Sequence, residues 1–178
     1  SVELDPTNTR GLQAEMFALS FAGDTDAALS VGKAALALNP NDSELMGEYG
    51  YRLALAGDWP TGCPLVSEAR DRNPGPLGYY ETALALCAYI EADYARAVTW
   101  LKKTGMPDNP NYHLIAAAVF AESGDTAAAA AEAAWLRRNA PDVAANPEVV
   151  VTRRIARQED VERLLASLRK AGLSGTPG

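Results

Sequence analysis

A single histidine, His113, limits the catalytic chemistry that this 178-residue chain could perform. A Ser-His-Asp triad would have to use it as the base, and a metal site built from several histidines is excluded. His113 lies near the predicted start of a helix, where an exposed or helix-capping role is more common than catalysis. We therefore expect it to be structural.

Other reactive groups are equally sparse. Two cysteines, Cys63 and Cys87, make neither a disulfide framework nor a metal site, and we expect buried free thiols in a reducing cytoplasm. The segment closest to a glycine-rich phosphate loop, residues 73–76 (NPGP), has one glycine and is typical of a turn. Acidic residues are scattered rather than clustered. The sequence predicts no enzyme, no cofactor and no metal site.

The charge balance narrows the class of partner. The formal net charge is −7 and the pI is near 4.7, so nucleic-acid phosphates and anionic membrane surfaces should repel the chain. No apolar run approaches the roughly 20 residues that a membrane-spanning helix needs. The apolar fraction of 48% with only 7% aromatic residues fits an alanine-rich helical array. A protein or peptide partner is predicted.

Three kinds of marker recur along the chain with one period. Five prolines are separated by 34, 34, 33 and 34 residues, namely Pro6, Pro40, Pro74, Pro107 and Pro141. A two-residue turn marker runs in step with them, at 23–24, 57–58, 92–93 and 124–125. Five residues after each turn begins comes a small residue, Ala28, Gly62, Ala97 or Ala129. A period of this length predicts an α-solenoid, in which each unit buries its apolar face against its neighbours.

These markers resemble the tetratricopeptide repeat (TPR) family. The clearest copy begins at Ser43 and has Gly50 at position 8, Gly57 at 15, Gly62 at 20 and Pro74 at 32. The resemblance implies an all-α, right-handed superhelix of about four helix-turn-helix repeats followed by a pair of capping helices. Four repeats are predicted, at 9–42, 43–77, 78–109 and 110–145. Residues 1–8 are predicted to be the tail of an earlier repeat, which suggests a piece of a longer protein, or an N-terminal extension. Residues 146–173 are the predicted capping helices, and 174–178 a disordered tail.

Turn and breaker residues place the individual helices. The predicted helices are 9–21, 26–38, a helix capped by Asp42 or Ser43, 76–91, 94–103, 112–123, 126–139, 147–156 and 159–171. The helix that follows Gly57-Asp58 contains Pro60 and Pro64, and we expect it to begin late, around 61–64, because proline is tolerated in a first turn. The aspartates of the turn markers are predicted to accept hydrogen bonds at helix N-termini.

The resemblance also implies a binding face. In the TPR family, positions 2, 5, 9, 12 and 13 of each first helix line the concave groove. The partner-binding residues predicted in this way are Arg10, Gln13, Phe17, Tyr51, Tyr79, Leu86, Tyr89, Asn111 and Leu114. Only Arg10 is basic at such positions, which favours an apolar or aromatic peptide over a carboxylate clamp. The alternative is that several of the aromatic residues pack between repeats.

Two functions remain open from the sequence. The first is a non-catalytic, cytoplasmic scaffold that binds a peptide or a partner domain in its groove. The second is a regulatory or oligomerising arm, because the ending LLASLRKAGL resembles the C-terminal TPR region of bacterial class III adenylate cyclases and winged-helix regulators. A homodimer is left open in both.

Overall fold

The computed structural model describes residues 8–75 and 79–174. Across this part of the chain the backbone forms eleven helices and no strands. The chain divides into two compact units, Ser1–Gly75 and Pro76–Gly178, here named the first and the second unit. The sequence predictions for residues 1–7 and 175–178 lie outside the described residues.

The first unit consists of two helical hairpins. Its four helices are α1 (Thr9–Ala22), α2 (Thr25–Leu38), α3 (Ser43–Leu55) and α4 (Trp59–Arg72). α1 packs on α2, α2 on α3, and α3 on α4. A shared core joins the first three helices, made by Leu12, Met16, Ala28, Ala35, Leu45 and Tyr49. Each helix therefore buries one face against its neighbour in the chain.

The second unit begins with two more helical hairpins and ends with three helices that do not form a hairpin of this kind. Its helices are α5 (Tyr79–Ile90), α6 (Tyr94–Leu101), α7 (Pro110–Ser123), α8 (Thr126–Asn139), α9 (Pro141–Ala145), α10 (Pro147–Thr152) and α11 (Gln158–Lys170). α5 pairs with α6 and α7 with α8, whereas α11 packs on α7 and α10. The predicted start of α5 at residue 76 lies outside the described residues.

The four helical hairpins share one type of turn. A residue in the left-handed region follows the first helix of each hairpin within two residues, at Gly23 (φ 85°), Gly57 (φ 103°), Ala92 (φ 61°) or Gly124 (φ 87°). The next residue is an aspartate whose Oδ1 accepts from the backbone N–H three residues later, at 3.2, 3.2, 3.0 and 3.0 Å. The predicted capping role of these aspartates is confirmed.

Glycine brings α3 and α4 very close together. A Cβ added to Gly62 would lie 2.4 Å from the Gly50 carbonyl oxygen and 2.5 Å from the Ala54 backbone nitrogen. A Cβ on Gly50 would lie 2.7 Å from the Leu65 Cβ. No side chain fits at such distances, so the two backbones are in direct contact. Gly50 and Gly62, two of the small residues that mark the repeat, therefore allow α3 and α4 to pack closely.

The prediction of a late start for α4 was wrong. The helix begins at Trp59, because Asp58 caps it and the Gly62 N–H bonds the Asp58 carbonyl at 2.9 Å. Pro60 lies in the first turn, where it displaces no helical hydrogen bond. Pro64 lies inside the helix at an exposed position, where it removes one backbone donor.

Three other boundaries also differ from the prediction. α7 begins two residues early, because Asn109 caps it (Oδ1 to the Asn111 N–H, 2.9 Å) and Pro110 fits its first turn. α6 ends at Leu101 rather than at 103. Residues 141–156, predicted to hold one helix from 147, contain two short helices, α9 and α10, separated at Asn146.

Both cysteines are buried, as predicted, but the prediction of free thiols was wrong. Cys63 and Cys87 are each disulfide-bonded, and neither carries a free thiol. In the described residues, no helix is long and apolar enough to cross a membrane.

Candidate protein-interaction face

Arg52 connects the first helices of the two hairpins in the first unit. From α3 its Nε donates to the Ser20 hydroxyl of α1 at 3.2 Å, and its guanidinium lies 4.4 Å from the centroid of the Phe17 ring. Its Nη1 also donates to Glu48 Oε2 at 2.6 Å. α1 and α3 therefore lie side by side, joined by an arginine that combines an ion pair with a cation–π contact.

The environment of this arginine is partly desolvated. The side chains of Arg52 and Glu48 are each only 16% exposed. Burial raises the pKa of the Glu48 carboxyl, and the charge of Arg52 and its hydrogen bond oppose that rise. The pair is thus more costly to hold in its ionised form than an exposed surface pair.

The same side of α1 and α3 carries an exposed aromatic ring. Phe21, one residue after Ser20, is 85% exposed, the highest value among the large hydrophobic residues of the described chain. At the opposite end, Arg10 pairs with Glu44 at 3.6 Å across the two helices. We name this surface the first-unit face. Its residues are Arg10, Phe17, Ser20, Phe21, Glu44, Glu48, Tyr51 and Arg52.

The predicted binding residues divide by exposure. Five are exposed or half-buried, and these are Arg10, Phe17, Tyr51, Tyr79 and Asn111. Four are buried, and these are Gln13, Leu86, Tyr89 and Leu114. A partner that leaves the structure unchanged reaches only the first group. The buried four fit the alternative in which such side chains pack within the protein.

α11 covers Tyr89, a contact that the sequence pattern did not predict. Its hydroxyl lies 2.7 Å from Ser167 Oγ and 3.1 Å from the Arg163 carbonyl oxygen. Burial raises the pKa of Tyr89 to about 12, although Ser167 and Arg163 oppose the rise. Tyr89 and Ser167 are 78 positions apart in the sequence. A repeat of 34 residues therefore does not predict their contact.

The structure corrects the expected exposure of His113. The ring is buried: Nδ1 lies 2.5 Å from Glu132 Oε2, and Nε2 lies 2.8 Å from the Pro107 carbonyl oxygen. Trp135 stacks on it with ring centroids 3.5 Å apart. Glu132 and Trp135 are three residues apart on α8, a spacing that places both on one helix face. With both nitrogens engaged, His113 joins α7, α8 and the preceding segment.

The other side chains that could bind a metal ion are not grouped together either. In the ranges 8–75 and 79–174, no three or more His, Cys, Asp and Glu residues are grouped so as to hold a metal ion. The described helices pack closely and leave one aromatic side chain, Phe21, largely exposed. Helix pairs closed by a left-handed turn and an aspartate cap are the elements of a TPR-type fold.

Comparison with solved structures supports this fold. The crystal structure of YrrB, described as a TPR protein with an unusual peptide-binding site, matches with a TM-score of 0.59 at 16% identity, covering 96% of this chain and 88% of that one. The MamA RS-1 ArsTM double mutant matches with a TM-score of 0.61 at 12% identity, covering 92% and 94%. No protein-family model and no curated protein matches the chain.

The predicted fold class, an all-α solenoid of TPR-like helix pairs, is therefore confirmed. The further resemblance to adenylate cyclases and winged-helix regulators finds no support in these comparisons. At identities of 12–16% the likeness concerns the fold alone.

Proposed function

We propose that this protein is a non-catalytic interaction scaffold that binds a peptide or partner domain on the first-unit face. The observation that carries the proposal is Phe21, an aromatic side chain left 85% exposed beside the Phe17–Arg52 contact. A TPR-type fold is consistent with it, and one protein of similar fold, YrrB, is described as having a peptide-binding site.

The face favours an apolar or aromatic peptide segment. Burying a phenylalanine side chain contributes about 1.5–3 kcal/mol, so Phe21 can serve as an anchor for a small interface. The charges beside it are already paired within the protein, Arg52 with Glu48 and Arg10 with Glu44. A ligand therefore gains more from apolar contact with Phe21 than from a new ion pair.

Binding to a peptide array tests the proposal. The labelled full chain is applied to an array of random synthetic 15-residue peptides. We expect Phe21→Ala to lose most of the signal on peptides that the native chain selects. Leu38→Ala is the matched control, since Leu38 is 50% exposed but lies on α2, and it should bind as the native chain does. Equal loss in both variants, or in neither, would contradict the assignment.

Location and further partners remain predictions. The net charge of −7 argues against nucleic acid and anionic membrane surfaces as partners. The disulfide-bonded state of both cysteines does not support the predicted reducing cytoplasm, because such bonds persist mainly in oxidising compartments. We therefore favour an oxidising compartment.

A further inference from the structure

An arginine of α11 binds the C-terminal end of α5. Arg163 Nη1 donates to the Ile90 carbonyl at 2.7 Å, and Nη2 donates to the Tyr89 carbonyl at 2.9 Å and to the Tyr94 hydroxyl at 3.1 Å. The guanidinium also lies 5.0 Å from the Tyr89 ring centroid. Carbonyls at a helix C-terminus lack partners within the helix and attract a cation, so this end of α5 recognises an arginine.

Two more polar residues of α11 continue the same row. Ser167 lies 2.7 Å from the Tyr89 hydroxyl and donates to Glu122 Oε1 at 2.8 Å. Lys170 Nζ pairs with the other Glu122 oxygen at 3.2 Å. Positions 163, 167 and 170 share one face of a helix. The C-terminal ends of α5 and α7 therefore accept hydrogen bonds from a regularly spaced row of donors on α11.

An apolar stripe runs beside this row. Val161, Leu164 and Leu168 are all buried, at three- and four-residue spacing, while Glu159, Glu162 and Arg169 are exposed. α11 thus lies on α7 as an amphipathic helix, with its apolar stripe buried and Glu159, Glu162 and Arg169 exposed, while Asp160 is buried as well.

The contacts of α11 fall on positions that the TPR register assigns to the concave side. Tyr89 and Ile90 occupy positions 12 and 13 of the third predicted repeat, and Glu122 occupies position 13 of the fourth. The surface at which the sequence predicts a partner is therefore covered, in the second unit, by the chain itself.

We propose that the C-terminal halves of α5 and α7 form a binding site for an amphipathic helix that presents an arginine and a lysine on one face, and that α11 is its resident occupant. A partner helix with arginine and lysine seven residues apart, beside an apolar stripe, displaces α11 and takes its place. The site is separate from the first-unit face and does not depend on it.

The way α11 is attached makes it exchangeable. It follows two short helices, α9 and α10, of five and six residues, each with a proline in its first turn. Its interface combines the buried apolar stripe with the polar contacts of Arg163, Ser167 and Lys170. Just after the helix, Arg137 Nη2 donates to the Gly172 carbonyl at 2.5 Å. The hairpins α5–α6 and α7–α8 pair without using α11.

A peptide that copies residues 157–173 tests the proposal by fluorescence polarisation. It is titrated into the native full chain and into the full-length variant Leu164→Glu, in which the resident helix is undocked. We expect binding at least tenfold tighter to the variant, and the matched peptide with Arg163→Ala should lose that gain. Equal affinity for both chains would overturn the proposal. A native chain that dimerises by exchanging α11 would also overturn it.

Hydrogen exchange on the native chain tests the same proposal without a substitution. Amides of α11 should exchange faster than those of α7, and an excess of the 157–173 peptide should speed exchange in the resident α11 while α7 stays protected. If α11 and α7 exchange together at one rate with or without the peptide, α11 leaves only when the unit unfolds and the proposal is wrong.

Discussion

Ala92 occupies a backbone conformation that glycine holds at the equivalent turns. Its φ of 61° is the only positive value for a non-glycine residue in the described chain. Its N–H bonds the Tyr89 carbonyl at 3.0 Å, and the Asp93 N–H bonds the Ala88 carbonyl at 2.9 Å, a pattern that matches the turns at Gly23 and Gly57. The hydrogen bonds of the turn thus hold an alanine in a strained geometry.

Ala92→Gly should therefore stabilise the protein by about 1 kcal/mol, because glycine adopts this φ without a Cβ clash. Ala130→Gly is the matched control: Ala130 is exposed inside α8, where glycine should cost about 1 kcal/mol. Urea unfolding of both variants measures the two free energies. A loss of stability in Ala92→Gly would show that the turn relaxes away from this geometry.

Glu48 predicts a pH dependence of known sign. Its pKa in the folded protein is raised above 4.5, so its stabilising contribution is fully present below that value and is lost as the pH rises through the raised pKa. Glu48→Gln removes this titration. The free energy of unfolding of the variant, minus that of the native chain, should be larger at pH 7 than at pH 4. A difference that shrinks between pH 4 and pH 7 contradicts the sign.

At the scale of the elements, the α3–α4 crossing gives the sharpest test of the packing. Gly62→Ala places a methyl group against backbone atoms of α3 and should cost roughly 1–3 kcal/mol through overpacking. Gly105→Ala is the control, because a Cβ at Gly105 meets no atom within 4 Å. Thermal melts of the two variants should differ clearly. Equal melting temperatures would mean that the helices separate without cost.

The sequence predicted those elements that depend on local chemistry. Turn markers such as Gly23-Asp24 and Gly57-Asp58 act within a few residues, so the hairpins and their caps followed from their spacing. The start of α4 was missed because the cap at Asp58 outweighs the two prolines that follow. The sequence placed the start of α10 at Pro147 but extended it to 156 rather than 152, and it missed α9, a five-residue helix between Pro141 and Asn146.

The site was less predictable than the fold, for a physical reason. A repeat register says which way a side chain points but not what later covers it. The register assigns Tyr89 and Glu122 to groove positions, and α11 contacts both of them. Phe21 occupies position 13 of the first predicted repeat, but only the structure shows the exposure that makes it the best anchor on the first-unit face.

At the scale of the whole molecule, the oxidised cysteines give a prediction about the native environment. Protein taken directly from cells into denaturant with iodoacetamide should carry no alkyl group on Cys63 or Cys87, and should carry two when a reductant is added first. Mass spectrometry measures both states. Two alkyl groups without reductant would show that both cysteines are free thiols. That result would support the reducing compartment that the sequence predicted.

The proposed scaffold function is tested most directly by NMR on the full chain. A peptide selected from the array is titrated into isotope-labelled protein, and the change in amide chemical shift is mapped along the sequence. We expect changes concentrated on α1 and α3 around Phe17, Phe21 and Arg52, and smaller changes in Phe21→Ala. Changes concentrated on α2 and α4, with α1 and α3 unmoved, would contradict the first-unit face as the binding site.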